Sequence, residues 1–210
     1  MLSLSAQSQR LAAVLLSWHV EVGTPREAVV DAIESAREEG LLIVDLEQAS
    51  PRSQFEHFRE IGRLPYMKEL MEGQSTWVLF NDDDDLSHPN RIKAFAAAVG
   101  AVDSNVAVEF VLCSVYCRLR EGAQPPAALD VSGVEALRGQ GDIDVLGFDA
   151  PASPEIFNHC VRLGALQRFL DSTDSAMLRH RFCDVRFASY CQQQLRGSSF
   201  VPGDRREWMY

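Results

Sequence analysis

The sequence predicts an α/β fold, with a mixed but mainly parallel central sheet flanked by helices. The first observation is a set of short apolar runs, such as residues 41–46, that lack alternation and are typical of buried parallel strands. The second is that segments with a helical spacing of apolar residues alternate with these runs. The third is that prolines, glycines and capping residues separate the two kinds of segment. A chain of 210 residues is long enough to form one such domain.

The amino-terminal part has the pattern of a strand–helix–strand unit. Residues 1–9 are polar and predict a loose leader. Residues 11–18 and 41–46 predict two parallel strands, and the helix between them is expected to begin with Thr24 as its cap and to end at Gly40. Two strands joined in this way form a right-handed crossover. The glycine-rich loops of Rossmann and P-loop proteins are absent from the sequence here.

The remaining elements continue this alternation, without an internal repeat. In chain order we expect a helix that starts at Ser50 and is interrupted at Pro65, a strand over 77–80, a helix over 89–99 that Gly100 ends, one long strand or a bent pair over 106–119, a strand over 142–148, a helix over 155–170, a helix or helix pair over 176–194, and a polar tail over 197–210.

The composition excludes some classes of protein. The net charge of −10 and the isoelectric point of about 4.9 argue against a nucleic-acid-binding protein, which needs a basic surface. A nucleotide ligand stays open, since a bound metal ion can supply positive charge locally. The five cysteines are odd in number and lack zinc-finger spacing, which favours a reducing, cytoplasmic setting. No apolar run predicts a transmembrane segment, and the domain could be part of a larger polypeptide.

The most distinctive stretch is WVLFNDDDDLSHPNR, residues 77–91. Its four adjacent carboxylates follow a predicted strand directly, and like charges ~4 Å apart repel by roughly 1 kcal/mol in water and by more near a protein surface. A bound cation relieves this repulsion, and oxygen ligands suit magnesium or manganese. An isolated acidic run would be a solvated turn. The strand before the run and the helix start after it favour a metal site, because ligands often bind at strand ends in α/β sheets.

This stretch resembles the Asp-x-Asp metal site of A-type glycosyltransferases, which have the nucleotide-diphosphosugar transferase fold. It is most similar to family-two-like enzymes, in which an apolar strand, a run of aspartates and an x-x-x-Pro-x-Arg pattern follow one another. The resemblance implies a single domain, with a nucleotide-binding half over residues 10–100, an acceptor-side half over 101–196 and a tail over 197–210. It also implies metal-dependent transfer of a sugar, with inversion, from a UDP-sugar to a hydroxyl group of a glycan or another acceptor.

The resemblance assigns the aspartates to the metal ion and to the nucleotide. We expect Asp83 and Asp85 to hold Mn2+ (or Mg2+), with Asp84 as the next candidate, and alternation along a strand leaves the coordinating pair open. The resemblance implies that Asp85 binds the ion and that the ion bridges the two phosphates of the donor. Asp82 or Asp83 would contact the ribose. His180 is a further metal candidate, as late histidines are in some A-type transferases, although such a residue is more commonly a partly buried polar side chain.

The catalytic base of these transferases is an aspartate at the start of a late helix, often in a Glu-Asp pair. This chain has Cys183-Asp184 at the corresponding place, so the first acidic residue is missing. Asp184 is the candidate base, because an acceptor hydroxyl needs a nearby proton acceptor. The alternative is a salt bridge from Asp184 to Arg181 or Arg186.

Candidates for binding the nucleotide come from two places. Residues 50–61, SPRSQFEHFREI, resemble the segment that leads from the base-binding loop into a helix, and the ends of the first two predicted strands carry further polar side chains. The alternative for each residue of the helical segment is an ordinary surface position. The candidates are Ser17, His19, Asp45, Arg52, Gln54 and His57.

Two other functions remain open at this point. Clustered aspartates also serve two-metal chemistry, which would make the protein a metal-dependent phosphotransferase or nuclease. Those sites usually gather carboxylates from several segments, whereas most lie in one run here. The missing glutamate before Asp184 leaves room for a catalytically degenerate domain that binds a sugar nucleotide or a glycan.

Overall fold

The computed structural model describes residues 2–72, 75–81, 90–105, 107–113, 115–119, 143–147 and 156–200, which form a mixed α/β structure. The described helices are α1 (Leu2–Ser5), α2 (Arg26–Glu38), α3 (Gln54–Gly62), α4 (Pro65–Glu72), α5 (Arg91–Val102), α6 (Leu163–Ser172), α7 (Ser175–Leu178) and α8 (Cys183–Gln194), with a 3-10 turn at Ile156–Asn158. The described strands are β1 (Val14–Trp18), β2 (Ile43–Glu47), β3 (Trp77–Leu79), β4 (Phe110–Cys113), β5 (Val115–Leu119), β6 (Ile143–Gly147), β7 (His159–Arg162) and β8 (Gly197–Phe200). Across these residues no helix is both long and apolar enough to cross a membrane.

The predicted strand–helix–strand unit is confirmed. β1 and β2 pair in parallel, and α2 packs on them through a cluster of buried residues that includes Trp18 and Ile33. Gly40 lies just after the end of α2 and has φ +93°, a conformation that favours glycine. The predicted cap at Thr24 is wrong, because the extended residue before α2 is Pro25 and no side chain caps the helix.

The predicted single, mainly parallel sheet differs from the described strand pairings. β1 and β2 form one sheet, β5 and β6 a second, and the third has the order β3-β7-β4-β8. In this third sheet β7 runs antiparallel to both β3 and β4, while β8 runs parallel to β4. It follows that β3, β4 and β8 all end at the sheet edge where β7 begins.

The central strand β7 lies where the sequence predicts a helix over residues 155–170. Only the second part of that span is helical, as α6. The spacing of Ile156, Cys160 and Leu163 fits a helix, but in the structure Cys160 and Val161 are buried in different hydrophobic clusters on opposite faces of the sheet. His159 is fully buried as well. A strand that is buried on both faces loses the period-two alternation that would identify it.

Helices cover both faces of the four-stranded sheet. On one face, helices α3, α6 and α8 contribute to the main core, in which Phe187 contacts the rings of Phe55, Phe80 and Phe169. On the other face, α5 packs Phe95 against the buried residues of β4 and β7. The sheet is therefore the middle layer of the described structure.

Four smaller expectations are corrected. The helix predicted from Ser50 starts after Ser53, which forms a reciprocal capping box with Glu56. Gly100 lies inside α5 and does not end it. The residues expected to be a loose leader contact α5, since Gln7 Oε1 accepts a hydrogen bond from the backbone of Ile92. The first four residues of the expected tail form β8.

Gly197 provides a test of the sheet register. It lies opposite Phe110 in the β4–β8 pair, and a Cβ atom at this position would be 2.0 Å from Phe110 Cζ. We expect Gly197→Ala to lower the free energy of unfolding by about 1–3 kcal/mol, because the Phe110 ring would have to move within the core. Chemical denaturation measures the change.

Gly100→Ala is the matched control for this substitution. A Cβ atom there would have no atom within 4 Å, and alanine is favoured over glycine in a helix by about 0.5–1 kcal/mol. Equal effects of the two substitutions would contradict the register.

Candidate functional site

The predicted metal ligands Asp82, Asp83, Asp84 and Asp85 lie outside the described residues. The last described residue before them is Asn81, which directly follows Phe80 at the end of β3. Within the described ranges, no group of three or more His, Cys, Asp or Glu side chains could hold a metal ion. The assignment of the ion to the acidic run therefore stays a prediction.

The end of β3 is held in place by a buried arginine. Arg91, at the start of α5, is 1% exposed. Its Nη2 donates to the carbonyl oxygens of Phe80 at 2.6 Å and Phe157 at 2.9 Å, and its Nη1 donates to Asn81 Oδ1 at 3.3 Å. The guanidinium thus joins the end of β3 to the turn before β7. A buried positive charge also favours negative groups close to it.

The ends of β1 and β2 carry a network of hydrogen bonds that we call the polar cluster, made of Ser17, His19, Gln48, Arg52 and His57. Ser17 Oγ is 2.7 Å from His57 Nδ1 and accepts a hydrogen bond from Gln48 Nε2 at 3.1 Å. Arg52 Nε donates to Gln48 Oε1 at 2.8 Å. The His19 and His57 rings are stacked, with centroids 5.6 Å apart and planes 12° apart.

The polar cluster brings together four of the six nucleotide-binding candidates that lie at the ends of β1 and β2 and in residues 50–61. Gln48 was not predicted, although its place directly after β2 is a signal that could have identified it. Of the other two candidates, Gln54 is exposed one turn before His57 on α3. Asp45 accepts hydrogen bonds from Arg37 at 2.6 Å and from Trp18 Nε1 at 3.3 Å, so it joins α2 to the β1–β2 pair.

The electrostatic surroundings of His57 favour its neutral form. Burial lowers the pKa of His57 below its ordinary value, and positive charge on His19 and Arg52 lowers it further, while Glu56 acts in the opposite direction. Because the ordinary pKa of histidine is about 6.5, the imidazole is neutral at neutral pH. A neutral ring can donate one hydrogen bond and accept another.

Strands β1 and β3 both lead to adjacent residues of α3. Ser17, near the end of β1, is hydrogen-bonded to His57, and the Phe80 ring, directly after β3, contacts the Phe58 ring at 5.3 Å. The polar cluster and Phe80, two residues before the acidic run, therefore contact neighbouring positions of the same helix.

The segment that leads into α8, the helix that carries Asp184, is anchored to the first turn of α3. Ser53 Oγ donates to the carbonyl oxygen of Leu178 at 2.7 Å, and Arg179 Nε donates to buried Glu56 at 2.8 Å. The hydrogen bond from Arg179 lowers the pKa of Glu56, against the opposing effect of burial. These contacts hold α7, and the turn that leads into α8, against the first turn of α3.

Asp184 lies half-buried in the first turn of α8, where its Oδ1 accepts a hydrogen bond from the backbone of Val185 at 2.7 Å. In the part of the chain that the structure describes, no ion pair joins Asp184 to Arg181 or Arg186. The carboxylate is therefore not held in the alternative salt bridge. His180 is exposed, and its Nδ1 accepts from the backbone of Phe182 at 3.3 Å.

An open surface depression of about 750 Å³ lies at the far end of α8. It is next to the start of β4, at the sheet edge opposite to Phe80. None of the predicted site residues that the structure describes lines it. The lining residues are Glu109, Arg168, Asp171, Ser172, Tyr190, Gln194 and Leu195.

The role of Arg91 can be tested by a substitution that keeps an unbranched side chain but removes the hydrogen bonds. We expect Arg91→Met to lower the free energy of unfolding by about 2–5 kcal/mol, because the buried carbonyl group of Phe80 loses its donor and that of Phe157 loses one as well. Urea denaturation measures the change. Arg63→Met, at an exposed ion pair, should change it by less than about 1 kcal/mol. Similar losses in the two variants would contradict this role.

Comparison with known proteins does not assign the chain to a family. Neither a protein-family model nor a curated protein matches its sequence. Its function has to be inferred from the chemistry of its own residues.

Proposed function

We propose that the protein is a metal-dependent glycosyltransferase that moves a sugar from a nucleotide-diphosphate sugar, such as a UDP-sugar, to an acceptor hydroxyl group. One observation carries this proposal. The polar cluster, at the ends of β1 and β2, and Phe80, two residues before the acidic run, contact adjacent residues of α3, namely His57 and Phe58. Ligands of open α/β sheets commonly bind at the carboxyl ends of the strands.

The A-type transferase fold is part of this proposal. It is supported by the parallel β1–β2 pair with its crossover helix, and by the acidic run that follows β3 in the sequence. A reducing, cytoplasmic setting is also proposed. It is supported by the thiols of Cys160, Cys183 and Cys191, none of which forms a disulfide among the residues that the structure describes.

The donor set of the acidic run fits the proposed ion. Carboxylate oxygens are the ligands that Mn2+ and Mg2+ prefer, and the residues that would hold the ion are Asp83, Asp84 and Asp85. When bound, the ion would supply positive charge for the diphosphate leaving group. Asp82 or Asp83 would bind the ribose of the donor. Arg91 binds the backbone of Phe80, two residues before this run.

The positions of the described side chains support the remaining proposed roles. The polar cluster offers hydrogen-bond donors and acceptors that would orient the donor away from the reacting carbon. Asp184 would take the proton of the acceptor hydroxyl, since its carboxylate is half-buried and is not held by Arg181 or Arg186. The contacts of Ser53 and Glu56 hold the helix of the proposed base against the helix that carries His57.

The metal-dependent step is tested by calorimetric titration of UDP with and without Mn2+. We expect Mn2+ to strengthen binding, and the double substitution Asp83→Ala and Asp85→Ala to weaken the Mn2+-dependent binding at least about tenfold, since contacts between metal and phosphate stabilise by several kcal/mol. Asp31→Ala, on the exposed side of α2, is the control and should bind as the unmodified protein does.

Binding that is absent at millimolar UDP, or that is the same without Mn2+, would contradict the proposal. Release of phosphate from simple esters without sugar transfer would favour the metal-dependent phosphotransferase instead.

The role of Asp184 is tested by Asp184→Asn in an assay of sugar transfer. We expect kcat to fall about 10²- to 10⁴-fold, as is usual when a general base is lost, while donor affinity stays within about twofold. Asp31→Asn serves as the control. A rate that Asp184→Asn leaves unchanged would exclude Asp184 as the base. Tight donor binding by the unmodified protein without transfer or hydrolysis would indicate a degenerate binding domain.

A further inference from the structure

We propose that the polar cluster is a metal-independent binding site for a phosphoryl group, in which His19, Arg52 and His57 are the donors to its oxygens. The proposal stands on described side chains alone and does not depend on the acidic run. Within a chain of net charge −10, these three side chains gather basic nitrogen atoms at the ends of two parallel strands. The donors come from three segments, namely the residue after β1, the loop before α3, and α3 itself.

The hydrogen-bond network orients His57 toward a ligand. Arg52 donates to Gln48, Gln48 donates to Ser17, and the Ser17 hydroxyl can then donate to His57 Nδ1. In that arrangement the neutral imidazole carries its proton on Nε2, which is the donor left for a ligand. Each member of the network keeps its neighbour in place, so the site is ordered before an anion binds.

The guanidinium of Arg52 has N–H donors beyond the one that Gln48 uses. Its Nε is used by Gln48, but its Nη1 is 3.7 Å from Glu60 Oε1, which is too long for a hydrogen bond. Glu60 is also shared with Arg63, whose Nη1 lies 3.2 Å away. The terminal nitrogens of Arg52 can therefore turn to an oxyanion, for which the planar guanidinium is well suited.

The charges that face His57 favour an anion over a cation. The groups are His19 after β1, Arg52 in the loop before α3, and Glu56 and Glu60 on α3. Glu56 is already bound by Arg179 and Ser53, and Glu60 is near two arginines. A phosphoryl group also offers three oxygens to three donors, whereas a carboxylate offers two.

Binding of such an anion is coupled to proton uptake. Positive neighbours and burial hold the pKa of His57 below its ordinary value in the free protein. A dianion beside the ring stabilises the imidazolium and raises that pKa, so the complex binds more protons than the free protein over the range between the two values. Affinity must then rise as the pH falls through this range.

Sulfate is the probe that isolates this coupling, because its own charge does not change between pH 5.5 and pH 8. In the presence of a metal chelator, we expect saturable sulfate binding. It is measured by calorimetry and by the ring-proton NMR shifts of His19 and His57. The dissociation constant should fall as the pH is lowered, by up to about tenfold per pH unit for each proton taken up.

Two pairs of variants separate the roles of the side chains. Arg52→Gln should weaken sulfate binding about tenfold at every pH, whereas Arg63→Gln, which also removes a partner of Glu60, should not. His57→Gln should lower the number of protons taken up on sulfate binding by one, whereas Arg63→Gln should leave that number unchanged. Circular dichroism checks that each variant is folded.

The absence of saturable sulfate binding, or binding that the folded Arg52→Gln and His57→Gln variants keep unchanged, would overturn the proposal. Failure of the proposed transferase function is a separate result, because sulfate binding should survive the Asp83→Ala and Asp85→Ala substitutions. Competition against sulfate identifies the source of the phosphoryl group. If a nucleoside monophosphate competes better than a hexose phosphate, the phosphoryl group in the polar cluster belongs to the nucleotide donor. The reverse order would indicate that it belongs to a phosphorylated acceptor.

Discussion

The buried guanidinium of Arg91 is the constraint on which the arrangement of the described site depends. A positive charge that is 1% exposed needs hydrogen-bond acceptors, and the structure provides the carbonyl oxygens of Phe80 and Phe157. These two groups belong to the end of β3 and to the turn before β7. One side chain therefore joins α5 to two neighbouring strands at a single sheet edge. Because Asn81 also accepts from Arg91, the chain leaves β3 in a direction that this contact fixes.

Helix α3 transmits that order to the rest of the site. One side of the helix carries Phe55 and Phe58, which pack in the main core and contact the aromatic residues at the end of β3 and in α8. Another side carries His57, which contacts the end of β1. The capping box at Ser53 fixes where the helix starts, and the same serine holds α7. A rotation of α3 would therefore disturb the aromatic core, the polar cluster and the anchor of α8 together.

Much of this was predictable from the sequence, and the exceptions have physical causes. Local signals identified the β1–α2–β2 unit, and its strand ends pointed to Ser17 and His19. A resemblance to known transferases pointed to Arg52 and His57. Strand β7 was not predictable, because burial on both faces removes its alternation and a helical spacing of apolar residues fits equally well. Gln48 was missed because its role depends on Arg52 and Ser17, which only the fold brings to it. The antiparallel direction of β7 is likewise set by long-range pairing.

The polar cluster and the acidic run differ in charge, so they would have different roles in binding a ligand. At neutral pH His57 is neutral, so the polar cluster contributes mainly hydrogen bonds and the charge of Arg52. The strong positive charge that a diphosphate requires would then have to come from an ion on the aspartates. At lower pH the protonated imidazole adds positive charge to the cluster, while protonation of the carboxylates weakens the grip on a cation. If the acidic run binds an ion as proposed, the two sites would respond to pH in opposite directions, and a ligand that spans both would bind best between the two limits.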